Sequence, residues 1–108
     1  MSRQILEQVR EELMACQIVS SNREFCVSWL AKDESYMRGL KFRGLNPSAD
    51  VLAICASKLG YYAKQLSKSR VAEHQDWCER FVRLRHMCQA AMEDQARAKW
   101  MTAERMGL

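Results

Sequence analysis

The chain has 108 residues, room for one small domain with an appended element. Lys and Arg total 17 against 13 Asp and Glu, a net charge of +4, and 48% apolar with 28% charged residues is a globular mix that excludes global disorder. No apolar run approaches the ~18–20 residues of a membrane span, and four Gly and one Pro supply too few turns for a many-stranded β fold. An all-α chain is expected, with a compact four-helix domain over residues 1–67 and a long C-terminal helix over 70–106. The opening MSRQILEQVREEL lacks the pattern of a secretory signal.

Residues 3–19 read as the first helix, because Leu6, Val9, Leu13 and Cys16 recur at spacings of 3, 4 and 3. Ser21 with Glu24, or Asn22 alone, supplies the next helix start. That second helix is short, about Arg23 to Leu30, with Phe25/Trp29 and Cys26/Leu30 as inward pairs. Asp33 is a suitable N-cap for a third helix from Glu34, whose buried side is Met37 and Leu40. Gly44-Leu45-Asn46-Pro47 is a loop, and Ser48 caps a fourth helix with Leu52, Cys55, Ala56 and Leu59 inward. Gly60 either ends this helix or is passed through by an extension to Leu66. From Arg70 to Arg105 there is no Gly or Pro, and Trp77, Phe81, Leu84, Cys88, Ala91, Gln95 and Ala98 form an a/d-type seam.

Five cysteines (Cys16, Cys26, Cys55, Cys78 and Cys88) without paired CxxC spacing make neither a disulfide framework nor a zinc ribbon. They read as small buried hydrophobes in a reducing, cytoplasmic setting. His74, Cys78, His86 and Cys88 offer metal-binding side chains, but Cys78 and Cys88 are ten residues apart on one helix, about 15 Å by the helical rise. One ion does not bridge that distance, so no metal and no cofactor are expected.

The charge is concentrated. Residues 32–70 carry eight basic and three acidic groups, while residues 1–31 are net −1 and residues 71–108 are neutral. A basic stretch over the third helix, its loop and the fourth helix suits a polyanion. A short helix, a tight turn and a second short helix is also the layout that seats one helix in the DNA major groove.

Asn22-Arg23-Glu24-Phe25-Cys26, then Met37 and Leu40, Pro47-Ser48, Leu52, Cys55-Ala56 and Leu59-Gly60 fall in ungapped register over about 40 of 108 residues. This pattern resembles the lambda-repressor-like helix-turn-helix family of phage and bacterial regulators, as a divergent member. Arg23 stands where the family usually has Gln, Val27 where it has a small residue packed between the helices, Ala31 at its turn Gly, and Lys41 at an acidic position. The resemblance implies base-facing positions at Glu34, Ser35, Arg38 and the side-chain-free Gly39. It implies phosphate contacts from Arg23, Lys32, Lys41 and Arg43.

Small modules of this kind usually pair on DNA. The seam Trp77, Phe81, Leu84, Cys88 and Ala91 is then expected to join two copies into a homodimer, the other possibility being that it folds back on the chain's own first helix. The function expected is sequence-specific binding of double-stranded DNA by a small dimeric transcriptional regulator, a repressor or autoregulator. The alternative is a helical adaptor that keeps the scaffold and binds protein. No HExxH, Gly-rich phosphate loop or GxSxG occurs, so an enzyme is not expected, and neither is a membrane partner.

Overall fold

The computed structural model describes residues 2–107, and all regular structure among them is helical. The elements are α1 (Ser2–Ala15), α2 (Asn22–Glu24) running on into a π turn (Phe25–Trp29), α3 (Tyr36–Arg43), α4 (Ala49–Ser67) and α5 (Ala72–Trp100). No helix among the described residues is long and apolar enough to cross a membrane.

The stripe Leu6, Val9 and Leu13 buries α1 against the rest of the chain. The helix stops at Ala15, short of residue 19. Gln17 adopts a left-handed φ of 63°. Its N–H donates to Met14 O at 3.1 Å, and the Ile18 N–H donates to Leu13 O at 3.1 Å. That is a Schellman-type ending, in which the chain turns back and carries Val19 into the core.

Ser21 Oγ then accepts from the Glu24 N–H at 3.1 Å, and the Glu24 carboxylate accepts from Ser20 Oγ at 2.8 Å. Together these bonds cap the start of α2, with Ser21 as its N-cap. Phe25, Cys26, Trp29 and Leu30 are all buried, as their spacing indicates. The π turn widens the helix by one residue per turn, which brings both adjacent pairs toward the core. Ala31, at φ 56°, reverses the chain, and the Lys32 N–H closes back on Cys26 O at 2.9 Å.

Two residues of the expected third helix lie outside it. Asp33 Oδ1 accepts from both the backbone N–H (2.8 Å) and the hydroxyl of Ser35. This Asx turn competes with helix nucleation, so α3 opens at Tyr36 rather than Glu34. Gly44 (φ 64°) ends α3, with Leu45 N–H donating to Leu40 O at 2.9 Å. Ser48 Oγ accepts from Val51 N–H at 3.3 Å and starts α4. This helix passes straight through Gly60 to Ser67.

α5 stops at Trp100, short of Arg105, because Thr102 Oγ1 accepts from the Arg105 N–H (3.2 Å) and begins a separate turn.

α5 lies along α4 and also meets α1. One core holds Leu6, Val9 and Leu13 from α1, Leu52, Cys55 and Leu59 from α4, and Phe81, Leu84 and Cys88 from α5. Residues of the expected 1–67 domain and of the 70–106 element therefore share one core. The seam is covered by the chain itself. Phe81, Leu84, Cys88 and Ala91 are at most 5% exposed, and Trp77 is half-buried against Phe81, ring centres 6.4 Å apart. In this arrangement these residues are not available to a second copy, because α1 and α4 present the apolar stripes they need.

Candidate nucleic-acid interface

α3 is anchored by two side chains. Met37 and Leu40 are each 4% exposed, while Arg38, Lys41 and Phe42 project from the other side. Its flanks are tied down by polar contacts. Arg10 Nη1 donates to Asn22 Oδ1 at 2.7 Å, and Asn22 Nδ2 donates to Glu34 O at 3.1 Å. This links α1, α2 and the turn before α3. Beyond α3, Gln95 Nε2 donates to Pro47 O at 2.9 Å. An eight-residue helix spans about 12 Å, enough to lie across a B-DNA major groove.

The sequence-predicted positions divide into two groups. Arg38 and Lys41 are exposed on α3, and Arg43 is its last residue. Arg43 folds back along the helix. Its Nε donates to Gly39 O at 3.2 Å, and its Nη2 lies 3.1 Å from where a Cβ on Gly39 would stand. The guanidinium thus occupies the place where Gly39 presents no side chain. Lys32 and Arg23 flank this surface, both exposed, with Lys32 Nζ 5.7 Å from the Tyr36 ring centre. Glu34 and Ser35 belong to the turn before α3 and not to the helix. Ser35 is engaged by Asp33, so its hydroxyl is already committed as a donor.

Electrostatically the surface is graded. Hydrogen bonds from the Ser35 hydroxyl and backbone hold the Asp33 carboxyl below its ordinary range. Asp33 and Glu34 thus place negative charge at the start of α3, and Lys41 and Arg43 place positive charge at its end. This matches the helix dipole at both ends. Among the described residues the ion pairs are Arg3–Glu7 at 3.6 Å and Arg83–Glu12 at 3.0 Å. Arg23, Lys32, Arg38, Lys41 and Arg43 take part in neither.

Two features of the surface were not legible as site residues. Phe42 is 90% exposed, one helical turn from Arg38 and between Lys41 and Arg43. Its signal in the sequence is its place off the Met37/Leu40 stripe. Val27 is 48% exposed and does not pack between the helices as its position in the repressor-like pattern implies. Two residues on from Phe25, it faces away from the buried Phe25/Trp29 side. Trp29 stacks on Tyr62 of α4 (5.3 Å) and has Lys58 Nζ over its ring at 4.8 Å. Lys58 also donates to Ser28 O at 2.8 Å, so α4 braces the π turn after α2 from behind.

The cysteine and histidine side chains have other partners. His74 Nδ1 is hydrogen-bonded to Ser69 Oγ at 2.7 Å, Cys78 Sγ donates to Ala63 O at 3.2 Å, and His86 is exposed. Cys55 and Cys88 meet in the core. A hydrogen bond to Cys88, together with burial, pushes the Cys55 thiol far above its ordinary range.

Neither the curated proteins nor the solved structures include a match to this chain. Residues 6–101, which run from α1 to the end of α5, match one family, and the chain belongs to it: a family of unknown function (DUF6626).

Proposed function

We propose that this protein binds double-stranded DNA through α3, as a divergent lambda-repressor-like helix-turn-helix module acting as a cytoplasmic transcriptional regulator. The observation that carries this reading is the α3 surface. Arg38, Lys41 and Arg43 are displayed on a rigidly anchored helix, with no carboxylate in salt-bridge distance among the described residues. Unpaired cations on a convex helix suit phosphate oxygens and guanine edges. Lys32 and Arg23 extend the basic surface along the backbone track. The left-handed Ala31, at the position of the family's turn Gly, supports the same reading. A dimer on DNA would pair through a surface other than the α5 seam.

The test is fluorescence anisotropy of a labelled random-duplex pool titrated with protein across a salt series. Binding is expected to weaken steeply with salt. Arg38→Glu with Lys41→Glu is expected to abolish it, because it turns a base-facing cation into an anion and removes a phosphate contact, the latter lowering the salt slope by about 1. Arg97→Glu, on the exposed end of α5, is expected to leave the curve largely in place. Salt-insensitive binding, or an unaltered curve for the double variant, refutes the reading. The 90% exposure of Phe42 favours a second reading, a protein-interaction surface on the same scaffold.

A further inference from the structure

Gly60 lies in the interior of α4, a helix of 19 residues, and no turn or left-handed backbone requires a glycine there. Glycine inside a helix is less stable than alanine, so the absent Cβ calls for a reason. The space is filled by one side chain from α5. A Cβ at position 60 would lie 2.8 Å from Arg85 Nη1, 3.0 Å from its Cζ and 3.2 Å from its Cδ. Gly60 therefore lets the Arg85 guanidinium lie against the surface of α4.

That guanidinium faces a hollow of about 370 Å³ between α4 and α5. Ser57, Tyr61 and Lys64 line it from α4, and Arg85 and Gln89 from α5. Its lining holds two cations and no carboxylate. Arg83, two residues earlier, is in an ion pair with Glu12, whereas Arg85 and Lys64 are in none among the described residues. An arginine fork held against a small-residue floor, a lysine beside it, and hydroxyl and amide donors around it make a set for an anionic group with several oxygens.

We propose that this α4–α5 hollow binds a small molecule through a phosphoryl group. Arg85 donates to two phosphoryl oxygens, Lys64 neutralises the remaining charge, and Ser57 and Gln89 supply neutral donors. Tyr61, 60% exposed, provides an aromatic face for the rest of the ligand. The site shares no residue with the α3 surface and does not depend on DNA binding.

The test is NMR titration of the full chain with inorganic phosphate and with pyrophosphate, against sodium chloride at matched ionic strength. Saturable shifts are expected at the Arg85 Nε–Hε signal and the amides of residues 57–64, with pyrophosphate binding more tightly. The decisive variant is Gly60→Ala, whose methyl displaces the guanidinium without disturbing backbone. It is expected to melt about 2–5 °C higher, from helix propensity, and yet to bind pyrophosphate at least about tenfold more weakly. Arg85→Gln is expected to bind as weakly while keeping the wild-type melting temperature and duplex affinity. Shifts no larger than those with chloride overturn the proposal, as do shifts spread equally over α3, or full affinity in Gly60→Ala. A loss of duplex affinity equal to the loss of pyrophosphate affinity in Arg85→Gln also overturns it, since the hollow would then be part of a nucleic-acid surface.

Discussion

Replacing Ala31 with glycine is expected to stabilise the protein. Ala31 ends the π turn at φ 56° and is exposed. Holding an L-residue with a Cβ in the left-handed region costs about 1–2 kcal/mol. Glycine removes that strain but gives back about 0.4–1 kcal/mol through its freer unfolded chain. The exposed methyl contributes little packing, so the net gain is about 0.5–1 kcal/mol, or roughly 2–6 °C in Tm for a domain of this size. The assay is a thermal melt monitored by circular dichroism, supported by urea midpoints. Gly44 provides the converse control. It has φ 64°, and beyond its own chain neighbours no heavy atom lies within 4 Å of a Cβ built there. Gly44→Ala therefore introduces backbone strain alone and is expected to lose a comparable amount. If Ala31→Gly leaves the melt unchanged or lowers it while Gly44→Ala destabilises, the strain assigned to the turn between α2 and α3 is wrong.

Lys58→Met removes both the hydrogen bond to Ser28 O and the ammonium over Trp29, with an expected loss of about 1–2 kcal/mol in urea denaturation. In thiol labelling of the native protein, the half-buried Cys16 and Cys78 are expected to react before the buried Cys26, Cys55 and Cys88. Mass spectrometry of the labelled sites would reveal any inversion of that order. The Asp33 carboxyl is depressed by its bonds from Ser35, so its contribution is present above the ordinary carboxylate range and lost as pH falls through the lowered value. Asp33→Asn is expected to flatten the acid limb of the stability profile. An acid limb identical to wild type would rule out that linkage.

The helices were legible wherever one residue class repeated at 3.6-residue spacing. Leu6, Val9 and Leu13, or Leu52, Cys55 and Leu59, have only one way to be buried together. Boundaries failed where local hydrogen bonding competed with the helix. Asp33 reads equally as an N-cap and as an Asx turn, and the latter moves Glu34 and Ser35 off α3. The partner of the α5 seam was not legible for another reason. An apolar stripe looks the same whether it meets its own chain or a copy, and only the placement of α1 and α4 decides. Phe42 and Arg85 were missed because an exposed aromatic and an arginine seated on a glycine leave no periodic trace. An isolated Gly60 within a helical pattern was the visible clue to the second.

Burial of Phe81, Leu84 and Cys88 beneath two other helices has a consequence for how the polypeptide can be dissected. A fragment ending at Ser69 would leave Cys55, Leu59 and Ala63 facing water, so the basic helix could not be transplanted with its immediate neighbours alone. On a ribosome, the segment that displays Arg38 emerges well before α5, which packs along α4 and against α1. The core beneath it is complete only when α5 has been made.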